Sequence, residues 1–216
     1  MLNLGLPPAL RRVLCIGAHC DDVEIGCGAT LLAIARARPD VELTIAVFTS
    51  EAGRDVESTR ALQELLGTSV QWRVQFATFR NSYFPAQWSD IKQHLERIRQ
   101  QSKPDLIFTH CRDDLHQDHR TLAELTWNVF RDHWVLEYEI PKYDGDLGRP
   151  NVFVPLDDAL VERKVETLLR CFRSQADKPW FTADTFRGLM RLRGIECQSP
   201  GGFAEAFFSR KLTLRP

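Results

Sequence analysis

Short apolar runs alternate along the chain with longer segments in which apolar residues recur every three or four positions. The short runs are typical of strands buried on both faces of a sheet, and the longer segments are typical of helices packed on one side. The predicted strands cover residues 13–17, 42–48, 70–79, 106–108, 136–140 and 203–214. The predicted helices cover residues 28–38, 54–66, 88–101, 121–131, 159–173 and 182–192.

This alternation of strands and helices predicts an α/β fold, a Rossmann-like three-layer sandwich with a mostly parallel sheet. No repeat or linker interrupts the pattern, and 216 residues fit within one hydrophobic core, so we expect residues 1–216 to form a single domain. Residues 136–140 alternate between apolar and polar, which predicts a half-exposed strand. Residues 141–150 predict a loop, which is either plain surface or a lid over a site.

Two clusters of imidazoles and carboxylates follow predicted strands. The first reads AHCDDVEIGCG at residues 18–28, and the second reads HCRDDLHQDHR at residues 110–120. Because ligands of open α/β folds bind at the carboxyl ends of the strands, both clusters are expected at that end of the sheet. Imidazole and carboxylate are standard zinc ligands, and a catalytic zinc site has three protein ligands and one open position. His19 and Asp22 can supply two ligands, and one of His116 and His119 the third.

The two clusters together resemble the motifs of the LmbE-like (PIG-L) family of zinc-dependent N-acetylglucosaminyl deacetylases. The matching pattern is Ala-His-x-Asp-Asp, then Glu-x-Gly-Cys-Gly, and then His-x-Asp-His about a hundred residues later. Two late segments, Arg193-Gly194 and FAEAF at residues 203–207, are similar to the family's Arg-Gly and Tyr-Ala-Glu-Ala-Phe segments. The resemblance therefore covers most of the chain, which we expect to be one LmbE-like deacetylase domain.

The resemblance implies a role for each matching residue of the two clusters. It implies that His19, Asp22 and His119 bind the metal. Asp21 matches the family's general base, which takes a proton from water. His116 matches the residue that stabilises the oxyanion or protonates the leaving amine.

Four further residues of the chain have an expected role or an open one. Asp118 matches a carboxylate that orients a histidine, which we expect to be His116. Arg54 matches an arginine often found near this helix start and is expected to bind substrate, although a solvated arginine fits the residues equally well. Glu24 belongs to the first motif, and its role is left open. At Cys20 the family usually has Pro or another non-thiol residue, so an extra sulfur ligand stays open.

Other residues of the two clusters have a structural interpretation. Asp113 and Asp114 are expected to be solvated or helix-capping carboxylates. Cys20, Cys27 and Cys111 are expected to be packing residues, because no Cys-x-x-Cys pair is present. Six cysteines in a chain of this length, without a secretory signal, do not predict a disulfide framework.

Composition and charge limit the partners. A hydrophobic fraction of 44% and a charged fraction of 26% are typical of a soluble globular protein. The net charge of -1, without a basic stripe, argues against a nucleic-acid partner. No apolar run reaches the roughly 18 residues of a membrane span, and the first residues lack a signal-peptide pattern. We therefore expect a cytoplasmic protein, with the possibility of a homo-oligomer left open.

The resemblance thus implies a metal-dependent hydrolase that removes the N-acetyl group from an N-acetylglucosamine-type sugar or conjugate. The expected cofactor is zinc, and iron or cobalt could use the same ligands. The expected partner is a small amino-sugar substrate. Two alternatives stay open: another single-metal hydrolase such as a phosphoesterase, and a non-catalytic sugar-nucleotide binder suggested by Gly26 and Gly28.

Overall fold

The computed structural model describes residues 3–51 and 53–213. The strands are β1 Arg12–Gly17, β2 Glu42–Val47, β3 Gln71–Phe76, β4 Leu106–His110, β5 Trp134–Tyr138, β6 Val152–Leu156 and β7 Phe203–Ser209. The α-helices are α1 Asp22–Ala37, α2 Arg54–Leu66, α3 Trp88–Ser102, α4 Gln117–Val129, α5 Asp158–Cys171 and α6 Ala183–Glu196. None of the helices in these residues is both long and apolar enough to cross a membrane.

The strands form one seven-stranded sheet in the order β3-β2-β1-β4-β5-β7-β6. The first five strands in this order pair in parallel. The strand β7 pairs antiparallel with both β5 and β6. The prediction of an α/β fold with a mostly parallel sheet is thereby confirmed.

Helices cover both faces of the sheet and complete three layers. The helices α1, α2, α5 and α6 pack over one face, and α3 and α4 pack over the other. The position of β1 inside the sheet explains its apolar sequence. Val13 and Cys15 belong to one core, and Leu14 and Ile16 belong to the core on the opposite face. A strand covered on both sides has no position that favours a polar side chain.

Three strands differ from the sequence prediction. The strand predicted as half-exposed is β5, which is buried because β4 and β7 flank it and helices cover it. Its one buried carboxylate, Glu137, accepts hydrogen bonds from Trp127 and Arg210. The pattern does not predict β6, which is only partly buried at the sheet edge. The strand β7 ends at Ser209, and residue 214 of the predicted strand lies outside the described residues.

Two helices begin earlier than predicted. The helix α1 begins at Asp22 and not at residue 28, so Asp22 and Glu24 lie in its first turn. Carboxylates in this position interact favourably with the positive end of the helix dipole. The helix α4 begins at Gln117 and not at residue 121, with His116 as its N-cap. Both polar clusters are therefore partly helical.

The sheet topology brings the two clusters together. The strands β1 and β4 are neighbours, although β2 and β3 lie between them in sequence. The chain leaves β1 toward β2 on one side, and β4 opens the other half of the sheet. Such a reversal of strand order leaves a crevice at the carboxyl ends of the two central strands. The first cluster follows β1 and the second follows β4 at this crevice.

Candidate metal centre

Three side chains from the two clusters converge at the ends of β1 and β4. The His19 Nδ1 atom lies 3.1 Å from His119 Nε2. One oxygen of Asp22 lies 3.3 Å from His19 Nδ1, and its other oxygen lies 3.5 Å from His119 Nε2. The structure therefore brings together the three residues that the sequence suggests as metal ligands.

The spacing of these donor atoms fits a small divalent cation. A tetrahedral zinc ion with bonds of about 2.0–2.1 Å separates its ligand atoms by roughly 3.3–3.4 Å. The three measured separations lie on both sides of that value. Two overlapping sets of potential ligands are also present, His19 with His116 and His119, and Asp22 with His110 and His119. The expected set takes one member from each of these and shares His119 with both.

His119 is oriented by Asp114. The Asp114 carboxylate lies 2.9 Å from His119 Nδ1 and accepts a hydrogen bond from the His116 amide at 2.8 Å. Lys142 lies 3.1 Å from the same carboxylate. Asp114 is therefore a buried residue of the site, which corrects the expectation of a solvated carboxylate, whereas Asp113 has an 81% exposed side chain. A carboxylate that fixes the far nitrogen of a ligand histidine is a recurrent feature of metal sites.

Asp118 faces His19 rather than His116. Its carboxylate lies 3.4 Å from His19 Nε2 and accepts hydrogen bonds from the amides of Ser82 and Phe84. Burial opposes its ionisation, but the nearby His19 ring and the hydrogen bonds from the two amides lower the pKa of Asp118. Only the backbone amide of Asp118 contacts His116. The structure thus corrects the expected partner of this carboxylate.

The charges of the three converging side chains differ. Burial disfavours a charged ring, but the carboxylates of Asp22 and Asp118 outweigh it and raise the pKa of His19 to about 10. Burial and the neighbouring His110 ring lower the pKa of His119 to about 3. Burial favours neutral Asp22, yet the surrounding imidazoles hold the pKa of Asp22 well below its usual range. A cation would therefore meet an ionised carboxylate and displace a proton from His19, as metal binding to histidine requires.

Asp21 pairs with Arg54 and does not join the converging donors. Its carboxylate accepts a hydrogen bond of 2.9 Å from Arg54 at the start of α2. Burial raises the pKa of Asp21 against the opposing effect of the Arg54 charge. Arg54 is thus paired within the site rather than solvated.

His116 lies at the start of α4 beside the converging donors. Its ring centroid lies 5.0 Å from that of His19 and 4.5 Å from that of His119. Its Nδ1 atom accepts a hydrogen bond from the Asp118 amide, which is the N-cap interaction of α4. Burial, together with the charge of His19, lowers the pKa of His116. The neutral ring therefore carries its proton on Nε2, where it can act as a hydrogen-bond donor.

His110 is a further member of the site, and no role was predicted for it. Its ring stacks on His119 with centroids 3.9 Å apart, and its Nε2 atom lies 3.1 Å from Asp22. The Ala18 amide donates to the same nitrogen, and the Tyr138 hydroxyl lies 3.4 Å from it. Its position in the sequence could have identified it as a site residue, since His110 ends an apolar strand and begins the second cluster.

The remaining polar residues of the first cluster support the turn. The Cys20 thiol donates to the carbonyl of Thr49 at 3.4 Å, and burial raises the pKa of Cys20 to about 12. Burial likewise raises the pKa of Cys111 to about 12. Neither thiol belongs to the groups of side chains whose donor atoms converge, so both residues fit the packing interpretation. Glu24 is buried and accepts a hydrogen bond from Ser58 of α2, which ties α1 to α2.

A cleft of about 300 Å³ opens over the converging side chains. Asp21, Arg54 and His116 line it beside the candidate ligands. The loop that follows β5 supplies Lys142, Tyr143 and Asp144, and the segment between α5 and α6 supplies Lys178 and Trp180. The loop predicted at residues 141–150 therefore forms a wall of the cleft, and its motion as a lid stays a prediction.

The chain is similar to known proteins over the region that contains these residues. Residues 14–130 match the family described as PIG-L, GlcNAc-PI de-N-acetylase. Over 142 residues the chain is 29% identical to the uncharacterized deacetylase YaiS of Escherichia coli, which covers 61% of this chain and 75% of that protein. Residues 14–130, which match the family, contain both polar clusters.

Solved structures share the fold. An N,N'-diacetylchitobiose deacetylase from Pyrococcus horikoshii superposes with a TM-score of 0.73 and 20% identity, over 94% of this chain and 84% of that chain. A 4-carboxy-2-hydroxymuconate hydratase from Pseudomonas putida superposes with a TM-score of 0.74 and 15% identity, over 96% and 99%. One fold thus serves a deacetylase and a hydratase, so the fold alone does not decide the reaction.

Proposed function

The chain belongs to the PIG-L family of GlcNAc-PI de-N-acetylases, and from this premise we propose that it is a metal-dependent N-deacetylase. The substrate is an N-acetylglucosamine-type sugar or sugar conjugate, and the products are acetate and a free amine. One observation carries the proposal. Donor atoms at separations that fit a metal ion share one cleft with the buried carboxylate of Asp21 and the neutral imidazole of His116. The cytoplasmic location expected from the sequence belongs to the same proposal.

His19, Asp22 and His119 are the proposed ligands of one divalent metal, with zinc as the first choice and iron or cobalt as alternatives. Their donor atoms support this set through their separations and through the carboxylates that hold the far nitrogens of both histidines. When bound, the metal polarises the acetyl carbonyl as a Lewis acid and lowers the pKa of a water molecule to about 7.

Asp21 is the proposed general base. It lies in the cleft next to the ligand Asp22, and its carboxylate is held in place by Arg54. Because burial raises the pKa of Asp21, its carboxylate is a stronger base than an exposed aspartate. Asp21 takes the proton of the attacking water and can then donate it to the departing amine.

His116 is the proposed oxyanion donor. Its Nδ1 atom is occupied by the Asp118 amide, so Nε2–H is the group available to the tetrahedral oxyanion. A neutral ring can donate this hydrogen bond without becoming an imidazolium, which agrees with the lowered pKa of His116. The loss of one such donor usually costs about a hundred- to a thousandfold in kcat.

Arg54 is the proposed substrate-binding residue. One of its terminal nitrogens contacts Asp21, and the side chain lines the cleft. The guanidinium has five N–H groups in a fixed arrangement, so it can hold Asp21 and a sugar hydroxyl together. Trp180 offers an apolar surface on the same cleft for the ring of the sugar.

The proposal is tested by incubating metal-loaded protein with a panel of N-acetylated sugars and measuring acetate by mass spectrometry. We expect acetate release from at least one N-acetylglucosamine derivative, and its loss in Asp21→Asn with metal still bound. A phosphate monoester and an unsaturated hydroxy acid in the panel test the hydrolase and hydratase alternatives. Turnover of either one without acetate release from any sugar would refute the deacetylase, and binding of sugar nucleotides without turnover would favour the non-catalytic alternative.

A further inference from the structure

Glu205 reaches from β7 into the middle of α1. It belongs to the late FAEAF segment, which the proposed chemistry does not use. Its carboxylate accepts hydrogen bonds from the amides of Ala29 at 3.1 Å and Thr30 at 2.7 Å. In an uninterrupted α-helix these two amides donate to carbonyls four residues earlier. Glu205 therefore competes with the backbone hydrogen bonds of α1.

Lys164 of α5 makes the complementary contact. Its ammonium donates to the carbonyl of Ile25 and to the carboxylate of Glu205. Ile25 is the carbonyl with which the Ala29 amide would pair in a regular helix. A cation and an anion from two other elements thus enter the same turn of α1, and insertion of side chains at this level is a known cause of helix kinks.

The pair is costly in a buried position. Lys164 is 3% exposed and Glu205 is 4% exposed. Replacement of buried ion pairs by apolar residues is often neutral or stabilising, so stability alone does not explain the pair. An arrangement that fixes one geometry of α1 does explain it, because each charge has its partners at defined points of the helix.

Tyr138 also constrains this segment of α1. A Cβ atom at Gly26 would lie 2.3 Å from the ring of Tyr138, so α1 rests directly on that ring. The Tyr138 hydroxyl donates to the carbonyl of Ile16 in β1. Tyr138 therefore contacts α1 at Gly26, and the Lys164–Glu205 pair contacts it at Ile25, Ala29 and Thr30, directly after its first turn.

We propose that Glu205 and Lys164 are positioning residues that fix the first turn of α1 and thereby place the Asp22 carboxylate between the histidines. The inference rests on the proposed metal site, since Asp22 is one of its ligands. Asp22 lies one turn before the level at which the pair enters α1. A small shift of this turn changes the Asp22 distances to His19 and His119 without changing any ligand.

The test measures the binding of Co²⁺ and the visible spectrum of the Co²⁺ protein, which reports the coordination geometry. We expect Glu205→Gln to weaken Co²⁺ binding about tenfold, the lower end of the range for residues that orient ligands, and to change the spectrum. Glu139→Gln is the matched control. Glu139 forms a buried pair with Arg193 and lines the same cavity of about 20 Å³ as Glu205, but it does not bond to α1.

Thermal unfolding of the metal-free variants first establishes that they fold. The double variant Lys164→Met/Glu205→Gln leaves no unpaired buried charge and replaces Glu205→Gln if that variant does not fold. Wild-type Co²⁺ affinity and spectrum in the Glu205 variant, or an equal loss in Glu139→Gln, would overturn the inference. If the wild-type protein itself bound no Co²⁺ or Zn²⁺, the proposed metal site would fail, and the positioning role would fail with it.

Discussion

Replacement of Asp114 tests whether its carboxylate fixes the tautomer and orientation of the proposed ligand His119. In Asp114→Ala three contacts are lost, with His119 Nδ1 at 2.9 Å, the His116 amide at 2.8 Å and Lys142 at 3.1 Å. Lys142 keeps its other carboxylate partner, Asp146. The buried Nδ1–H group of His119 keeps none, because the ring is 3% exposed. The ring then loses the contact that fixes its tautomer and orientation.

The size of the effect follows from these losses. A buried donor without an acceptor costs about 1–3 kcal/mol of stability. Loss of a carboxylate behind a metal-binding histidine typically weakens metal affinity about 10- to 100-fold, which corresponds to roughly 1.4–2.8 kcal/mol of binding free energy. Asp114→Asn keeps an acceptor without the charge, so its loss of affinity should be smaller than that of Asp114→Ala.

Competition with a chelator of known affinity measures the metal affinity of each variant, and thermal unfolding of the metal-free proteins measures stability. The control is Asp113→Ala, which removes a neighbouring aspartate that is largely exposed and lies 3.7 Å from Arg210. We expect this control to match the wild-type protein in both measurements. Unchanged affinity in Asp114→Ala, or an equal loss in Asp113→Ala, would refute the orienting role.

Three further predictions follow from the same structure. Asp22→Ala should lose stoichiometric metal, whereas Asp21→Asn should keep its metal while turnover falls about a hundred- to ten-thousandfold. Metal analysis and initial rates of both variants test this prediction. Loss of metal from Asp21→Asn would contradict the division of roles. Gly26→Ala should lower the free energy of unfolding by about 1–3 kcal/mol through overlap with Tyr138. Gly188→Ala, with no atom within 4 Å of the new Cβ, should instead raise that free energy by about 0.5–1 kcal/mol; equal shifts in thermal unfolding would argue against the overlap. Removal of metal with a chelator should lower the midpoint of thermal unfolding, and addition of metal should restore it, because a ligand of the folded state stabilises that state. A midpoint that does not change with metal would count against the proposed metal site.

The order of strands and helices, except for β6, was predictable from the sequence, because it depends on short-range periodicity. The continuous apolar run of β1 follows from its burial on both faces, and the same pattern identifies β2 and β4. The two polar clusters were also predictable as one site, since parallel strands place their carboxyl ends at one edge. The convergence of His19, Asp22 and His119 agrees with that expectation, while their roles stay proposals.

Local spacing could not identify the boundaries that depend on tertiary contacts. The first seven residues of α1, 22–28, contain two carboxylates and two glycines, so this segment has little helix signal of its own. It is helical because α5, β5 and β7 hold it. The burial of β5 likewise depends on β7, a strand that lies far along the chain and supplies its second neighbour.

The neighbours of individual carboxylates were decided by tertiary structure alone. Asp113 and Asp114 are adjacent and chemically identical, yet only Asp114 faces His119 and the Lys142 side chain of a distant loop. Asp118 contacts His19 while the segment between β3 and α3 supplies two amides, those of Ser82 and Phe84, that hold its carboxylate. A sequence records which groups can ionise or bind a metal. Which of them share a buried volume depends on chain segments a hundred residues apart that fold against each other, and the free energy of that burial selects their partners.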